Sequence, residues 1–331
     1  MRTITLEEHI TIPAIETALA AQSHRGAPSE FVRRIHAKLL DMGEGRLADM
    51  DAAKIDLQVL SLAGFDMDRL DSATATSLAR EANDAMAAAQ SAHPDRFAAF
   101  AAVNLRQPDE AAHELGRCIH KLGFKGAMVH GTTDGLFLDD PRFSSFWEAA
   151  ESLDVPVYLH PAPPPEPVQQ SYFGGLNESL AYFLSTAAWG WHCETGLHVL
   201  RLIGAGLFDR YPKLQVIIGH MGENLPFSLA RADFILGRTR PPLPRSVTDY
   251  FQQHIHITTS GYFTLPPFLC TLKVVGADRI LFSVDYPYAT NEQGRAFLDS
   301  LPVSVADLEK IAHGNAERLL RVPVAAPGRE S

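Results

Sequence analysis

The feature that most constrains this chain is a rhythm that runs along its whole length. Eight short β-rich runs, at residues 4–8, 56–62, 96–103, 125–130, 155–160, 214–220, 254–259 and 279–285, are each followed by sequence with helical spacing. Neighbouring parallel strands need a crossover of a dozen or more residues, usually a helix. Strand–helix alternation therefore predicts a parallel sheet covered by helices. Several runs are continuously apolar, as expected of strands buried on both faces. Eight β/α units in 331 residues predict a (β/α)8 TIM barrel. An open doubly wound sheet would carry a Gly-rich turn after its first strand, where this chain has Glu8-His9.

The spacing predicts helices over 31–40, 46–53, 71–91, 108–122, 143–153, 223–236 and 265–275, with more helix inside 292–320. A longer helical stretch, 180–207, is expected to break near Gly190. Asp71 or Ser72 can cap the third helix, and Pro108 suits a first turn, where its missing N–H costs nothing. The irregular or Pro-rich stretches near 11–30, 161–178 and 238–248 read as loop insertions in one barrel domain spanning 1–331.

Barrel active sites form at the C-terminal ends of the strands. Here those ends carry Glu7 and His9 on the first run, His160 on the fifth, His220 on the sixth and Asp285 on the eighth. On a regular strand Glu7 and His9 share one face and Leu6 and Glu8 the other. Glu7 and His9 are then about 6–7 Å apart along the backbone, close enough to close on one metal ion. Alone, the pair reads as a terminal strand with solvated charges, and a lone strand-end histidine is more often a hydrogen-bonded core residue. Four strands delivering such residues to one rim point to a site. Imidazole and carboxylate without thiolate suit zinc, manganese or iron rather than a structural sulfur site.

Composition narrows the partners. A formal net charge of -10 argues against nucleic acid, because an acidic surface does not track a phosphate backbone. Cys118, Cys193 and Cys270 are far apart, with no Cys-x-x-Cys, and read as free thiols in a reducing compartment. No leader pattern opens the chain and no apolar run approaches a membrane span, so a cytoplasmic enzyme without a membrane partner is expected.

Leu6-Glu7-Glu8-His9, Tyr158-Leu159-His160-Pro161, Ile218-Gly219-His220-Met221-Gly222-Glu223 and Leu281-Phe282-Ser283-Val284-Asp285-Tyr286-Pro287 resemble the motifs of the amidohydrolase superfamily. The closer resemblance is to its aminocarboxymuconate-semialdehyde decarboxylase-like branch, and within it to the dihydroxybenzoate (γ-resorcylate type) decarboxylases. It runs from about Thr5 to Leu320 and includes the connecting piece 206–214. The resemblance implies a (β/α)8 barrel with one divalent metal, Zn2+ or Mn2+, and no organic cofactor. It implies Glu7, His9, His160 and Asp285 as ligands, and His220 with Glu223 as an acid–base pair beside the substrate. Arg231 matches the arginine that meets the substrate carboxylate; without the resemblance it would read as a surface salt bridge. Assembly as a homodimer or homotetramer is also expected.

Two features depart from the pattern. Hydrolytic members open with His-x-His, whereas Glu7 holds the first slot here, which favours the decarboxylases. Tyr262 stands where those decarboxylases usually carry Asn, and Tyr286 replaces a frequent Trp. Tyr262, Tyr286 and Tyr288 are therefore the expected aromatic contacts of the substrate, with ordinary rim packing as the competing reading.

The expected reaction is non-oxidative loss of CO2 from a small hydroxylated aromatic carboxylate. A metal can hold an ortho hydroxyl and the carboxylate. A proton is then delivered to the ring carbon by Asp285, or by His220 oriented through Glu223. A metal-dependent hydrolase of an ester, lactone or amide is the alternative, and a barrel that only binds is third.

Overall fold

The computed structural model describes residues 1–21, 30–64 and 67–323. Its strands are β1 (Ile4–Ile10), β2 (Leu57–Leu62), β3 (Phe97–Ala99), β4 (Ala101–Ala102), β5 (Ala127–His130), β6 (Val157–His160), β7 (Val216–Ile218), β8 (Ile255–Thr258) and β9 (Ile280–Leu281). All neighbouring pairs are parallel, in a three-stranded sheet β1-β2-β3 and a six-stranded sheet β4 to β9 in sequence order. The third expected run is divided at Phe100, and that division joins the sheets. The Phe100 amide donates to Leu60 O at 2.9 Å on one side, and the Ala101 amide to Gly126 O at 2.8 Å on the other. At the opposite seam Leu6 bridges Ser283 in parallel, and the His9 amide donates to Tyr286 O at 2.7 Å. Eight strand positions thus run round in sequence order as a (β/α)8 arrangement.

Side-chain alternation sorts the apolar residues into two cores. Ile4, Leu6, Leu57, Val59, Ala98, Phe100, Met128, Tyr158, Ile217 and Leu281 form an inner cluster drawn from nearly every strand, with Ala316, Leu320 and Val322 packed against it. Their strand neighbours, among them Leu60, Leu62, Val129, Val157, Leu159, Ile218 and Ile257, pack outward in a larger cluster with the surrounding helices. A strand buried on both faces has no polar side, which explains the uninterrupted apolar runs.

Local chemistry sets the helix starts. Asp71 caps the helix Ser72–Ala92 by accepting from the Thr74 amide, and Ser246 with Asp249 and Thr290 with Gln293 form capping boxes. Two stretches expected as loops contain helices, Pro13–Ala20 and Glu166–Phe173. Their prolines stand in the first turn, where a missing N–H is harmless, so proline there marked a helix start. Residues 22–29 of the first stretch lie outside the described residues. The 180–207 stretch forms three helices, Glu178–Ser185, Gly190–Gly204 and Leu207–Arg210. A Cβ on Gly190 would lie 2.4 Å from Ser185 O, so glycine permits the tight break. No helix among the described residues is long and apolar enough to cross a membrane.

Candidate metal and active site

The site is built on an irregularity in β1. Ile4 and Leu6 face the inner cluster, so strict alternation would send Glu7 and His9 outward. The register instead shifts between Thr5 and Glu8, with three residue steps on β1 against two on β2, and Glu7 has a φ of 63°. This bulge changes the phase of the strand. Ile10 now packs in the outer cluster while His9 meets Asp285 and the His160 ring. Glu7 and His9 do converge, but through the bulge and not through a shared face of a regular strand. Glu8 serves structure instead, accepting from the Val284 amide at 3.0 Å and the Tyr286 amide at 3.3 Å across the seam.

Glu7 is fully buried, and its two oxygens have different surroundings. Oε2 accepts from the hydroxyls of Tyr158 and Ser260, with Thr258 Oγ1 at 3.4 Å. Oε1 has no hydrogen-bond partner and faces His160 Nε2 at 3.1 Å and His220 Nε2 at 3.6 Å. His160 Nδ1 lies 2.7 Å from the carbonyl of Pro161. A carbonyl can only accept, so Nδ1 carries the proton, and in a neutral ring Nε2 turns a lone pair toward the carboxylate. With the ring neutral, two acceptors then stand face to face, sealed from water, an arrangement that a cation between them would satisfy.

His9 supplies a third nitrogen. Its Nδ1 is 3.2 Å from Ser61 Oγ and its Nε2 is 3.4 Å from Asp285 Oδ1. Burial holds the His9 pKa below the ordinary imidazole value although Asp285 opposes this, so the ring is available as a neutral ligand. One ligand atom each from Glu7, His9 and His160 lie within 4.8 Å of one another. Both histidines have their other ring nitrogen anchored, an arrangement that orients metal-binding imidazoles. The donor set therefore fits one divalent ion. Asp285, with a φ of 72°, borders the triad through His9 and also faces His220 Nε2 at 3.8 Å.

Beyond β7 the backbone takes a left-handed course, with positive φ at His220, Met221, Gly222, Glu223 and Asn224. Gly222 has a φ of 91°, and a Cβ there would meet Pro226 at 2.7 Å. The turn points Glu223 back at His220, with Oε1 2.7 Å from His220 Nδ1. Glu223 Oε2 is 2.6 Å from Nδ1 of His192, in the first turn of the helix Gly190–Gly204. Burial alone would raise the Glu223 pKa, but His220 and His192 more than offset it and keep it below the usual carboxylate range. Burial pulls the His220 imidazole down, yet Glu223 and Glu7 overcome that and hold it well above its ordinary value. Four of these residues, Glu7, His220, Glu223 and Asp285, occupy a backbone region that non-glycine residues rarely adopt. Such strain concentrates at functional sites.

The aromatic and cationic candidates divide. Half-buried Tyr262 lies edge-on to His220 at 5.9 Å and to His192 at 5.5 Å between ring centroids. Tyr288 lies 5.7 Å from the His9 ring. Tyr286 points elsewhere, which corrects its expected role at the substrate. Its hydroxyl donates to Asp49 at 2.8 Å, and its ring lies under Arg46 at 4.7 Å and Lys38 at 5.2 Å. Arg231 is exposed on the helix Leu225–Leu236, with its guanidinium 5.8 Å from the Phe234 ring centre. Among the described residues it makes no ion pair.

Residues 34–322 match the amidohydrolase family. The chain belongs to that family. Among its relatives in the family is the gamma-resorcylate decarboxylase of Rhizobium radiobacter, 39% identical over 331 residues covering 96% of this chain and 98% of that one. A crystal structure of 2,6-dihydroxybenzoate decarboxylase in complex with 2,6-dihydroxybenzoate superposes with a TM-score of 0.88 at 38% identity, covering 97% of this chain and all of that one. The dihydroxybenzoic acid decarboxylase of Polaromonas sp. JS666, solved with manganese and the inhibitor 2-nitroresorcinol, has a TM-score of 0.87 at 36% identity and covers 97% of each chain.

Several residues of this amidohydrolase site escaped the reading of the sequence. Tyr158 stands two residues before His160 on β6, so period-two alternation could have placed it on the same face. The same parity joins Thr258 to Ser260 beyond β8. His130 ends β5 with its ring 4.9 Å from that of His160, and the strand-end rule would have found it. His192 carried no such signal, because it sits at a helix start far from any strand end.

Proposed function

We propose that this amidohydrolase-family chain is a metal-dependent, non-oxidative decarboxylase, a carboxy-lyase acting on a small hydroxylated aromatic carboxylic acid. The observation that carries the reading is a mixed carboxylate–imidazole cluster facing His220 and Asp285, in a chain with full-length relatives at 36–39% identity that are dihydroxybenzoate or resorcylate decarboxylases. Glu7, His9, His160 and Asp285 would hold one divalent ion, Zn2+ or Mn2+. When bound, such an ion supplies a Lewis acid that anchors a hydroxyl and the carboxylate of the substrate and polarises the ring.

The remaining steps belong to the side chains. The reaction adds a proton to the ring carbon that bears the carboxylate, breaks the carbon–carbon bond and releases CO2 as aromaticity returns. Asp285 is the proposed donor. His220, kept protonated by Glu223 and Glu7, has its Nε2 3.8 Å from Asp285 Oδ2 and can resupply the proton. Tyr262 and Tyr288 are the proposed ring contacts. Arg231, exposed and paired with no carboxylate among the described residues, is the proposed partner of the substrate carboxylate.

A homodimer or homotetramer is part of the proposal. Tyr172, Phe183, Trp189, Phe227 and Phe234 are large, apolar and exposed, with Phe227 at 89%. Exposed aromatic surface of this kind marks an association site. Light scattering on the purified chain should give a mass of two or four chains.

The deciding experiment screens hydroxybenzoates in D2O with metal content measured on the same sample. One deuterium should enter the ring carbon that carried the carboxylate, and CO2 should be released. An ester or lactone turned over with solvent oxygen in the product and no CO2 would replace the decarboxylase by a hydrolase.

A further inference from the structure

His192 is placed to do more than fill space. It is 2% exposed, and both its ring nitrogens are engaged. Nδ1 lies 2.6 Å from Glu223 Oε2, while Nε2 lies 2.9 Å from Ala187 O and 3.2 Å from Trp191 Nε1. Its ring is edge-on to His220 at 4.9 Å and to Tyr262 at 5.5 Å. Glu223 is 1% exposed, and its side chain is tied at two points, His220 on Oε1 and His192 on Oε2. A carboxylate held at one oxygen can turn about its last bonds. Held at both, it has one orientation.

The tie extends outward. Ala187 lies in the break between the helices Glu178–Ser185 and Gly190–Gly204, the break that Gly190 permits. A chain of contacts therefore runs from this break through His192 and Glu223 to His220, whose Nε2 faces Glu7 at 3.6 Å and Asp285 at 3.8 Å. We infer that His192 is a positioning residue: it clamps the far oxygen of Glu223, so that the near oxygen fixes His220 Nδ1 and keeps Nε2 aimed at the cluster. The inference rests on the decarboxylase reading for its kinetic consequence but not for its structural one.

Two substitutions separate the hydrogen bond from the packing. His192→Phe keeps a ring against His220 and Tyr262 but removes the donor. His192→Asn places an amide N–H close to where Nδ1 stood, so the donor to Glu223 survives with less packing. On the metal-loaded enzyme with its best hydroxybenzoate, H192F should lower kcat about 10- to 100-fold, the range for losing the partner that orients an active group, with KM and metal content unchanged. H192N should recover most of that loss. The 15N spectrum of labelled histidine, with the His220 signals assigned by their absence in His220→Asn, should move in H192F and return toward wild type in H192N. Wild-type kcat in H192F overturns the inference, as does an H192N protein as slow and as shifted as H192F, which would make packing the whole role. A wild-type enzyme that releases no CO2 from any hydroxybenzoate overturns the decarboxylase reading instead, and the His220 spectra then decide the clamp alone.

Discussion

The hydroxyl cradle around Glu7 makes a quantitative prediction for Tyr158→Phe. Tyr158 is fully buried on β6, with its ring tilted against Phe100 at 5.9 Å, so phenylalanine keeps the packing and loses one oxygen. That oxygen donates to Glu7 Oε2 and lies 2.8 Å from Thr258 Oγ1. Since it gives its only proton to the carboxylate, Thr258 is the donor in the second contact. A hydrogen bond to an ionised group contributes about 1.5–3 kcal/mol. Glu7 is ionised: burial would raise its pKa, but the neighbouring His220, itself held in its charged form, drives it far below the usual carboxylate range. Ser260 still donates to Oε2 in the variant, and Thr258 Oγ1 at 3.4 Å can turn toward it, so the lower half of that range applies. At about 1.4 kcal/mol per decade, the affinity for a divalent ion should fall roughly tenfold and at most a hundredfold. The assay is competition for Mn2+ against a chelator of known affinity, with Tyr286→Phe as control. That substitution also removes one buried hydroxyl, but one bonded to Asp49 and not to the cluster. Y158F binding Mn2+ like the wild type, or Y286F losing as much as Y158F, would refute the idea that the cradle orients Glu7 for a metal.

Other outcomes follow from the same geometry. Glu223→Gln should keep the metal and slow turnover roughly 10- to 100-fold, and an unchanged rate would leave Glu223 as a turn residue only. Arg231→Met should weaken binding of carboxylate substrates much more than of their decarboxylated products, measured as separate inhibition constants. Dialysis against a chelator should abolish CO2 release, and Mn2+ or Zn2+ should restore it while raising Tm, as any ligand specific to the folded state must. His198 tests acid stability. Its Nε2 accepts from the Leu138 amide at 2.8 Å, and burial lowers its pKa to about 3. The unfolded chain therefore binds the proton first, so stability is lost as pH falls below about 6.5, by about 2 kcal/mol for this residue by pH 5. In urea melts His198→Gln, whose amide oxygen can replace Nε2 as acceptor, should flatten the profile by that amount; an unaltered slope would mean that other groups set it.

Much of this molecule was legible in the chain because the relevant information is local. Period-two runs and helical spacing occupy a few residues each, so the eight units and most helices are where the pattern placed them. Asp71 capped its helix because a side-chain acceptor three residues before a free amide is a local arrangement. Strand-end position brought Glu7, His9, His160, His220 and Asp285 to one rim because a parallel barrel presents all its C-terminal strand ends on the same side.

Tertiary structure decided how those residues meet. A one-residue bulge reversed the facing of β1, and no pattern in a seven-residue strand announces an extra residue that only the pairing with β2 defines. The hydroxyls on Glu7 come from residues 151 and 253 positions away, beyond the reach of any sequence window. Tyr286 directly follows Asp285, yet its ring turns away to Arg46 and Lys38 and its hydroxyl to Asp49, because cations and an acceptor from another part of the chain wait there. His192 joins Glu223 from a helix start that sequence spacing marked only as a break. The residue types that can do the chemistry are thus a property of the chain, and their orientation is a property of contacts between segments that meet only when it folds.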